Sequence, residues 1–371
     1  MTAPVATTWV AAIREDSRSG RAMLAPAGAY DRLPPVLLDT ALALPDTTAK
    51  VAEYAAALRQ PHEAIEIHAL PNALVTGQGS VITRNNEPLH ESVREFLAHG
   101  SVPDGLIADG SAFRPQAAVT RDIDGPCILA KRPWFRNFGH WIVDAAALLA
   151  LAADPCRSPC PTVVVGDVGD GTLRQVMLDT IRAILPDAAV LFHPDHETWR
   201  FSQLLYVTPV HVPPLFKLPE GLSRLRDAIL PDRADVDPRE KLFVLRGRGM
   251  HNRALANGQV LMDLCLRRGY RPILPEQLAL RDAARFFAAA KVVVGVKGAA
   301  LTNALFCKPG ATVVALSPAD FPDPFFWDLV SQRGVAYAEL FGTMVTSRAQ
   351  GLNDFMIEPD RLSAALDRLQ V

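Results

Sequence analysis

The sequence predicts an α/β protein whose parallel sheets form two lobes, preceded by a small β-containing extension. Three observations carry that prediction. From about residue 120, short apolar and β-branched runs alternate with segments of helical period, the pattern of strands joined by crossover helices. Residues 231–240 (PDRADVDPRE) are charged, hold two prolines and lack apolar periodicity, so they read as a linker. The chain's 371 residues leave room for roughly two domains of about 150 residues and some additional elements.

The extension, residues 1–118, has short β-prone runs at Ala64–Ile67 and Ala73–Ile82, broken by Pro71, Gly77 and Gly79, and a short helix over Ser92–His99. The first lobe, 119–236, is expected to run through strands at Cys127–Lys131, Thr162–Val165, Ala188–Phe192 and Leu204–Val210. Helices over Phe138–Ala153, Leu173–Leu185 and Leu222–Leu230 connect and follow them. The second lobe, 237–345, is the most legible. Strands at Lys241–Leu245, Tyr270–Leu274, Val292–Val296 and Thr312–Leu316 alternate with three helices. The first of these starts at Asn257, a capping residue type, and stops at Gly269; the others are Arg281–Ala290 and Ala300–Phe306. That order is βαβαβαβ, so the lobes are expected to be Rossmann-like. A last helix, Pro359–Leu369 within 346–371, is expected to pack back on the first lobe.

Composition narrows the function classes. Hydrophobic residues make up 49% and charged residues 21% of the chain, the balance of a folded globular protein rather than a disordered one. A net charge of −2 supplies no field for nucleic acid or an anionic membrane, so basic clusters must be read as local sites. The N-terminal residues lack the charged and apolar regions of a signal peptide. The longest apolar stretch, Ala145–Ala153, lies between Asp144 and Asp154 and is too short to span a bilayer. The expected location is cytoplasmic. The five cysteines, odd in number and scattered, suit reduced thiols.

Four constellations carry chemistry. In Val292–Val–Val–Gly–Val–Lys297–Gly298–Ala299–Ala300–Leu–Thr302–Asn303, a buried-type strand turns through small residues into a helix. Free N–H groups there attract an anion, Lys297 adds a charge, and Thr302 and Asn303 add donors; this is a diphosphate cradle or a plain tight turn. In Arg246–Gly–Arg248–Gly–Met–His–Asn–Arg253, three arginines follow the lobe's first strand. Ligands bind off the carboxyl ends of parallel strands, so this loop is a phosphate fork on the same edge or a solvated basic loop. His140 and Asp144, four apart in Asn137–Phe–Gly–His140–Trp141–Ile–Val–Asp144, share one helical face. They form a general-base unit or a structural hydrogen bond, and Trp141 is core or a sugar platform. Glu276, after a strand, accepts from a nucleoside hydroxyl or caps the next helix.

These residues resemble a known family. Arg246, Arg253 and Asn257, then Pro275–Glu276, Phe286, the turn from Gly295 to Asn303 and Phe306–x–x–Pro–Gly–x–x–Val–Val follow the pattern of glycosyltransferase family 61. The run looks like the family's bacterial members of the capsular polysaccharide biosynthesis type. The Asn137–Asp144 segment is similar to that family's first-lobe motif, and the likeness runs over about 125–345. The resemblance implies a GT-B fold, an inverting mechanism, a nucleotide-sugar donor and no required metal or cofactor. The donor expected is UDP-linked; the acceptor is a glycan, a lipid-linked glycan or another hydroxyl, in surface polysaccharide biosynthesis beside membrane assembly machinery. Asp144, paired with His140, is the expected base. Arg246, Arg248, Arg253, Asn257, Glu276, Lys297, Gly298, Ala299, Ala300, Thr302 and Asn303 are the expected donor-binding residues.

Three positions depart from the family pattern: Lys297 for His, Ala300 for Gly, and Ala315 for Glu. They keep open an alternative, a degenerate protein that binds a nucleotide sugar or a glycan without turnover. A dinucleotide oxidoreductase is disfavoured because no strand is followed by Gly–x–Gly–x–x–Gly with an acidic residue about 20 positions on. His193–Pro–Asp–His196–Glu197 reads as a polar loop rather than a metal cluster, and Cys156 and Cys160 lack a second pair at zinc-finger spacing. Asp122–Ile–Asp124 and Asp235–Val–Asp237 lie away from any buried strand end of the second lobe.

Overall fold

A computed structural model describes residues 20–98, 100–109, 112–212, 216–232, 236–246 and 252–371. It is a mixed α/β protein with parallel sheets and ten α-helices among the described residues. The chain forms two compact units. The first takes the described part of Met1–Gly28 together with Glu63–His211, and the second takes Ala29–His62 and Val212–Val371. These limits differ from the expected domain boundaries at 118/119, 236/237 and 345/346.

The first unit holds a seven-stranded mixed sheet. Val119–Leu129 runs parallel to Thr162–Gly166 on one side and to Thr198–Val207 on the other, and Val190–His193 extends it as a further parallel strand. The antiparallel strands expected in a separate extension belong to this sheet: Ile65–Thr76 pairs along nearly all of Thr198–Val207. Pro71 does not break that strand as its residue type suggested. On the other side, Arg21–Ala25 pairs only with residues up to His68 and Ser80–Ile82 only from Leu74 onward. Pro71 falls in the gap, where a missing N–H forfeits no ladder bond.

The second unit is built on five parallel strands in the order Arg271–Ile273, Glu240–Val244, Ala290–Val296, Thr312–Pro318 and Ala336–Met344. Counted in chain order that is 2-1-3-4-5, a doubly wound sheet whose order reverses between its first and third strands. Val292, Val293 and Val294 are fully buried because helices cover both faces, which is why the strand reads as an unbroken apolar run. Gly295 is needed for close strand contact, since a Cβ there would lie 2.9 Å from the Val244 Cβ. Residues 29–62 join this unit through Val36–Leu38, parallel to Ala336–Met344. Buried Arg32 and Lys217 both bond Asp328, at 3.0 and 3.3 Å, and tie the segment down. The last helix, Pro359–Arg368, packs on Gly258–Arg267 of the same unit, with Leu362, Ala365 and Leu366 against Leu261 and Cys265, rather than on the first lobe. Among the described residues no helix is long and apolar enough to cross a membrane.

Candidate active site residues

In the second unit, Arg246 leaves the first strand and Gly298 follows the third, so both stand at the carboxyl ends that flank the switch point. Gly298 is extended, with φ 177°, so its backbone does not call for glycine. Its use is space: a Cβ there would lie 3.4 Å from the Arg246 guanidinium carbon. Arg246 Nη1 donates to the Arg253 carbonyl at 2.9 Å, and Arg253 Nη1 donates to the Gly351 carbonyl at 3.2 Å. Arg246 Nη2 and Arg253 Nε are buried with no hydrogen-bond partner among the described residues. Burial, then the neighbouring charge of Arg253, pushes the Arg246 guanidinium down to about 10; burial also lowers Arg253. Both stay cationic at neutral pH, and the charges of Asp354 on Arg246 and of Asp323 and Asp320 on Arg253 only partly offset the desolvation. Glu276, exposed on the short 3₁₀ turn Pro275–Gln277, acts on Arg246 through its charge.

The small-residue turn opens into a 3₁₀ helix, Ala299–Phe306, instead of an α-helix. Thr302 Oγ1 and Asn303 Oδ1 are buried without a partner among the described residues, while Asn303 Nδ2 donates to the Ala300 carbonyl at 2.9 Å. Ala299 and Ala300 are half-buried on the first turn.

Lys297 behaves differently from the expectation of a diphosphate contact. Its side chain is fully buried; Nζ lies 2.7 Å from Glu339 Oε1 and donates to the Phe321 carbonyl at 3.1 Å. The strand before the turn delivers Lys297 into the interior of the sheet's carboxyl edge, where Tyr337 Oη also donates to Glu339, at 3.1 Å. Glu339 stands opposite Ala315 in the parallel register, so a carboxylate absent at 315 is supplied one strand over. Asn257 is the second departure. It does not cap its helix; Nδ2 donates to the Ile357 carbonyl at 2.7 Å and Oδ1 accepts from the Ile357 N–H at 3.3 Å, which fixes the strand end near Phe355. Arg248 lies outside the described residues.

In the first unit, Asn137 caps the helix by accepting from the Gly139 N–H at 2.8 Å. The helix widens to a π-turn over Trp141–Ala146, a local register change found most often at functional sites. His140 Nδ1 meets Asp144 Oδ2 at 2.8 Å, as the four-residue spacing predicts. The sequence reading missed a third member: His211, just beyond the central strand, bonds the other oxygen, Asp144 Oδ1, through its own Nδ1. No local pattern could reveal it, since 67 positions separate it from Asp144. Burial alone would raise the Asp144 carboxyl, but the facing imidazoles and their hydrogen bonds hold it well below the usual range. Asp144 is therefore a carboxylate with both oxygens engaged. His211 is 1% exposed and His140 26% exposed, so only the latter ring reaches the surface appreciably. The three ligand atoms lie within 4.8 Å of one another, close enough for a divalent ion, yet the carboxylate already accepts from both rings. Trp141 is fully buried and donates to Thr180 Oγ1 at 3.3 Å: it is core, not a platform.

Beside the triad, a pocket is lined by Glu91, Glu95, Arg132, Pro133, Asp144 and His211 among others. Burial, then the charge of Asp144, raises the Glu95 carboxyl. The His193 loop holds an interior ion pair: Lys131 Nζ lies 2.9 Å from His193 Nδ1 and 2.6 Å from Asp195 Oδ1. Burial and the Lys131 charge push His193 down to about 3, so it is neutral and accepts from the ammonium.

A family model described as Glycosyltransferase 61 matches residues 138–314. Over that span the chain is similar to glycosyltransferase family 61. The span takes in His140, Asp144, His211, Arg246, Arg253 and the 297–303 turn. A comparison with curated proteins found no match.

Proposed function

We propose that the chain is an inverting, metal-independent glycosyltransferase that uses a nucleotide-sugar donor, UDP-linked by first expectation, and a hydroxyl acceptor in surface polysaccharide assembly. The observation that carries this reading is the pair of half-buried guanidinium groups, Arg246 and Arg253, each with one buried nitrogen that has no hydrogen-bond partner among the described residues, at the switch point of a doubly wound sheet within the matched span. A donor diphosphate would accept from those guanidinium nitrogens, with Thr302 and Asn303 at the adjoining turn and Glu276 toward the nucleoside. As the acceptor oxygen attacks the anomeric carbon, the bond from that carbon to the diphosphate breaks. The charge developing on the leaving group is stabilised by donors already fixed in place. Lys297 supports that edge from within through Glu339 rather than by touching the donor.

The first unit's triad is the chain's candidate general base. With Asp144 ionised and accepting from Nδ1 of both rings, the proton acceptor is an Nε2, and of the two rings His140, 26% exposed against 1% for His211, is the one within reach of a substrate. His140 is thus the base. Asp144 holds its tautomer and stabilises the imidazolium, and His211 anchors Asp144 from the other side.

The test is a thermal-shift panel of UDP, GDP and CMP with their sugars on the native chain and on Arg246→Ala. A shift with one nucleotide class, weakened roughly tenfold or more in the variant, is expected, since charge-assisted hydrogen bonds contribute about 1.5–3 kcal/mol. No shift with any nucleotide refutes the donor assignment. Binding without transfer to any acceptor favours the non-catalytic alternative.

A further inference from the structure

We infer that Trp134 is the stacking platform for a sugar ring of the acceptor, and hence that the acceptor is a glycan rather than a simple alcohol. The inference rests on the transferase reading above and deepens it. Trp134 is 52% exposed, whereas Trp141, the tryptophan that the helix motif brings to attention, is wholly buried.

Its backbone is equally unusual. Trp134 sits at φ 63°, in the left-handed region where a bulky residue is an outlier. Conformations of this kind persist only when their surroundings over-determine them, and they gather at ligand sites. The surroundings here are visible. Phe135, the next residue, is buried with its ring in the space left by Gly166, where a Cβ would lie 2.1 Å from the ring. On the other flank, Gly79 lets the chain approach the Lys131 carbonyl, which a Cβ would meet at 2.5 Å. The Trp134 N–H donates to Gln78 Oε1 at 3.1 Å, and its carbonyl accepts from the Asn137 N–H at 2.8 Å. With both neighbours pinned, the indole is committed to the surface.

That surface borders the triad's pocket. Gly79, Arg132 and Pro133, which flank Trp134 in space or in sequence, line the same pocket as Glu91, Glu95, Asp144 and His211. An exposed indole next in sequence to residues that line a carboxylate-bearing pocket supplies the chemistry that recognises a pyranose. The ring's C–H face packs on the π-system, and acidic oxygens accept from the equatorial hydroxyls. A simple alcohol would use neither. The neighbouring cations are taken up by other rings, the Arg132 guanidinium 4.4 Å from the Tyr206 ring centroid and Arg136 4.5 Å from that of Phe135, while the Trp134 indole stays exposed.

The test uses the full chain with Trp134→Ala and Trp134→Phe. Binding to an immobilised glycan array is read first, because it does not depend on turnover. The thermal shift with UDP, GDP and CMP is read in parallel as the measure of the donor site. Array binding that Trp134→Ala loses at least tenfold and Trp134→Phe largely keeps, with an unchanged nucleotide shift, is the expected result. In a transfer assay the same loss appears in KM for the glycan, with kcat little altered. Equal array binding by the native chain and Trp134→Ala overturns the assignment, as does no array binding by the native chain. Loss of nucleotide binding in Arg246→Ala together with a neutral Trp134→Ala removes the platform and leaves the transferase standing. Glycan binding through Trp134 with no nucleotide shift does the reverse.

Discussion

The buried pair Lys297–Glu339 separates two roles that the sequence alone confuses, and replacing each partner in turn tests which is right. At 2.7 Å and an effective dielectric of about 20, the attraction between the two charges is about 6 kcal/mol. Desolvating two ions costs several kcal/mol each, so the pair as a whole contributes little net stability. Removing one partner is another matter: it leaves a buried charge with no counter-ion. Lys297→Met keeps the shape of the side chain and strands Glu339, with the Tyr337 hydroxyl its remaining hydrogen-bond partner among the described residues. We expect a loss of about 3–5 kcal/mol in the free energy of unfolding by urea. Glu339→Gln should cost a comparable amount by stranding the ammonium. The double variant should recover most of it, so that a double-mutant cycle returns a coupling of several kcal/mol. Under folded conditions the double variant should bind the nucleotide class of the native chain within about threefold. A Lys297→Met protein with native stability and abolished nucleotide binding would refute the argument and return the ammonium to the donor site.

Two further outcomes follow from the first unit. Asp144→Asn retains a side chain of the same size but cannot accept from both imidazoles or stabilise a protonated His140. A fall in kcat of about 10²–10⁴-fold is expected, the range for losing a positioned acid–base group, while the nucleotide thermal shift stays unchanged. Lys131, fully buried, is pushed down to about 8 from 10.5 by desolvation, partly offset by Asp195. Below pH 8 both folded and unfolded chains hold its proton, and the cost of burying the charge is fully present. Between pH 8 and 10.5 the unfolded chain keeps a proton that the folded chain has released, so stability rises with pH across that window. Urea titrations of the native chain against Lys131→Met should show a relative gain on the order of 3 kcal/mol from this group. A flat difference from pH 7.5 to 10.5 would show that the ammonium is not desolvated as the structure has it.

Local pattern settled much of this protein. The alternating strands and helices of residues 240–316 were legible because a parallel strand buried on both faces must be apolar throughout, as Val292–Val296 is. The His140–Asp144 contact was legible because helical spacing brings residues four apart onto one face. The nearness of Arg246 and Gly298 was legible because both follow neighbouring parallel strands at their carboxyl ends. What local pattern could not carry was long-range partnership. Lys297 and Glu339 are 42 positions apart, and nothing near Lys297 says whether its charge meets a ligand or a buried carboxylate. Asn257 looked like a helix cap and instead holds Ile357, because the strand end it serves is 100 residues away. The antiparallel strands before residue 83 looked like an appendage, since register with Thr198–Val207 is invisible until the sheet is assembled. Trp134 and Trp141 are the plainest case. Both are tryptophans beside the same motif, and only the fit of Phe135 over Gly166 decides which is buried and which is held out to solvent.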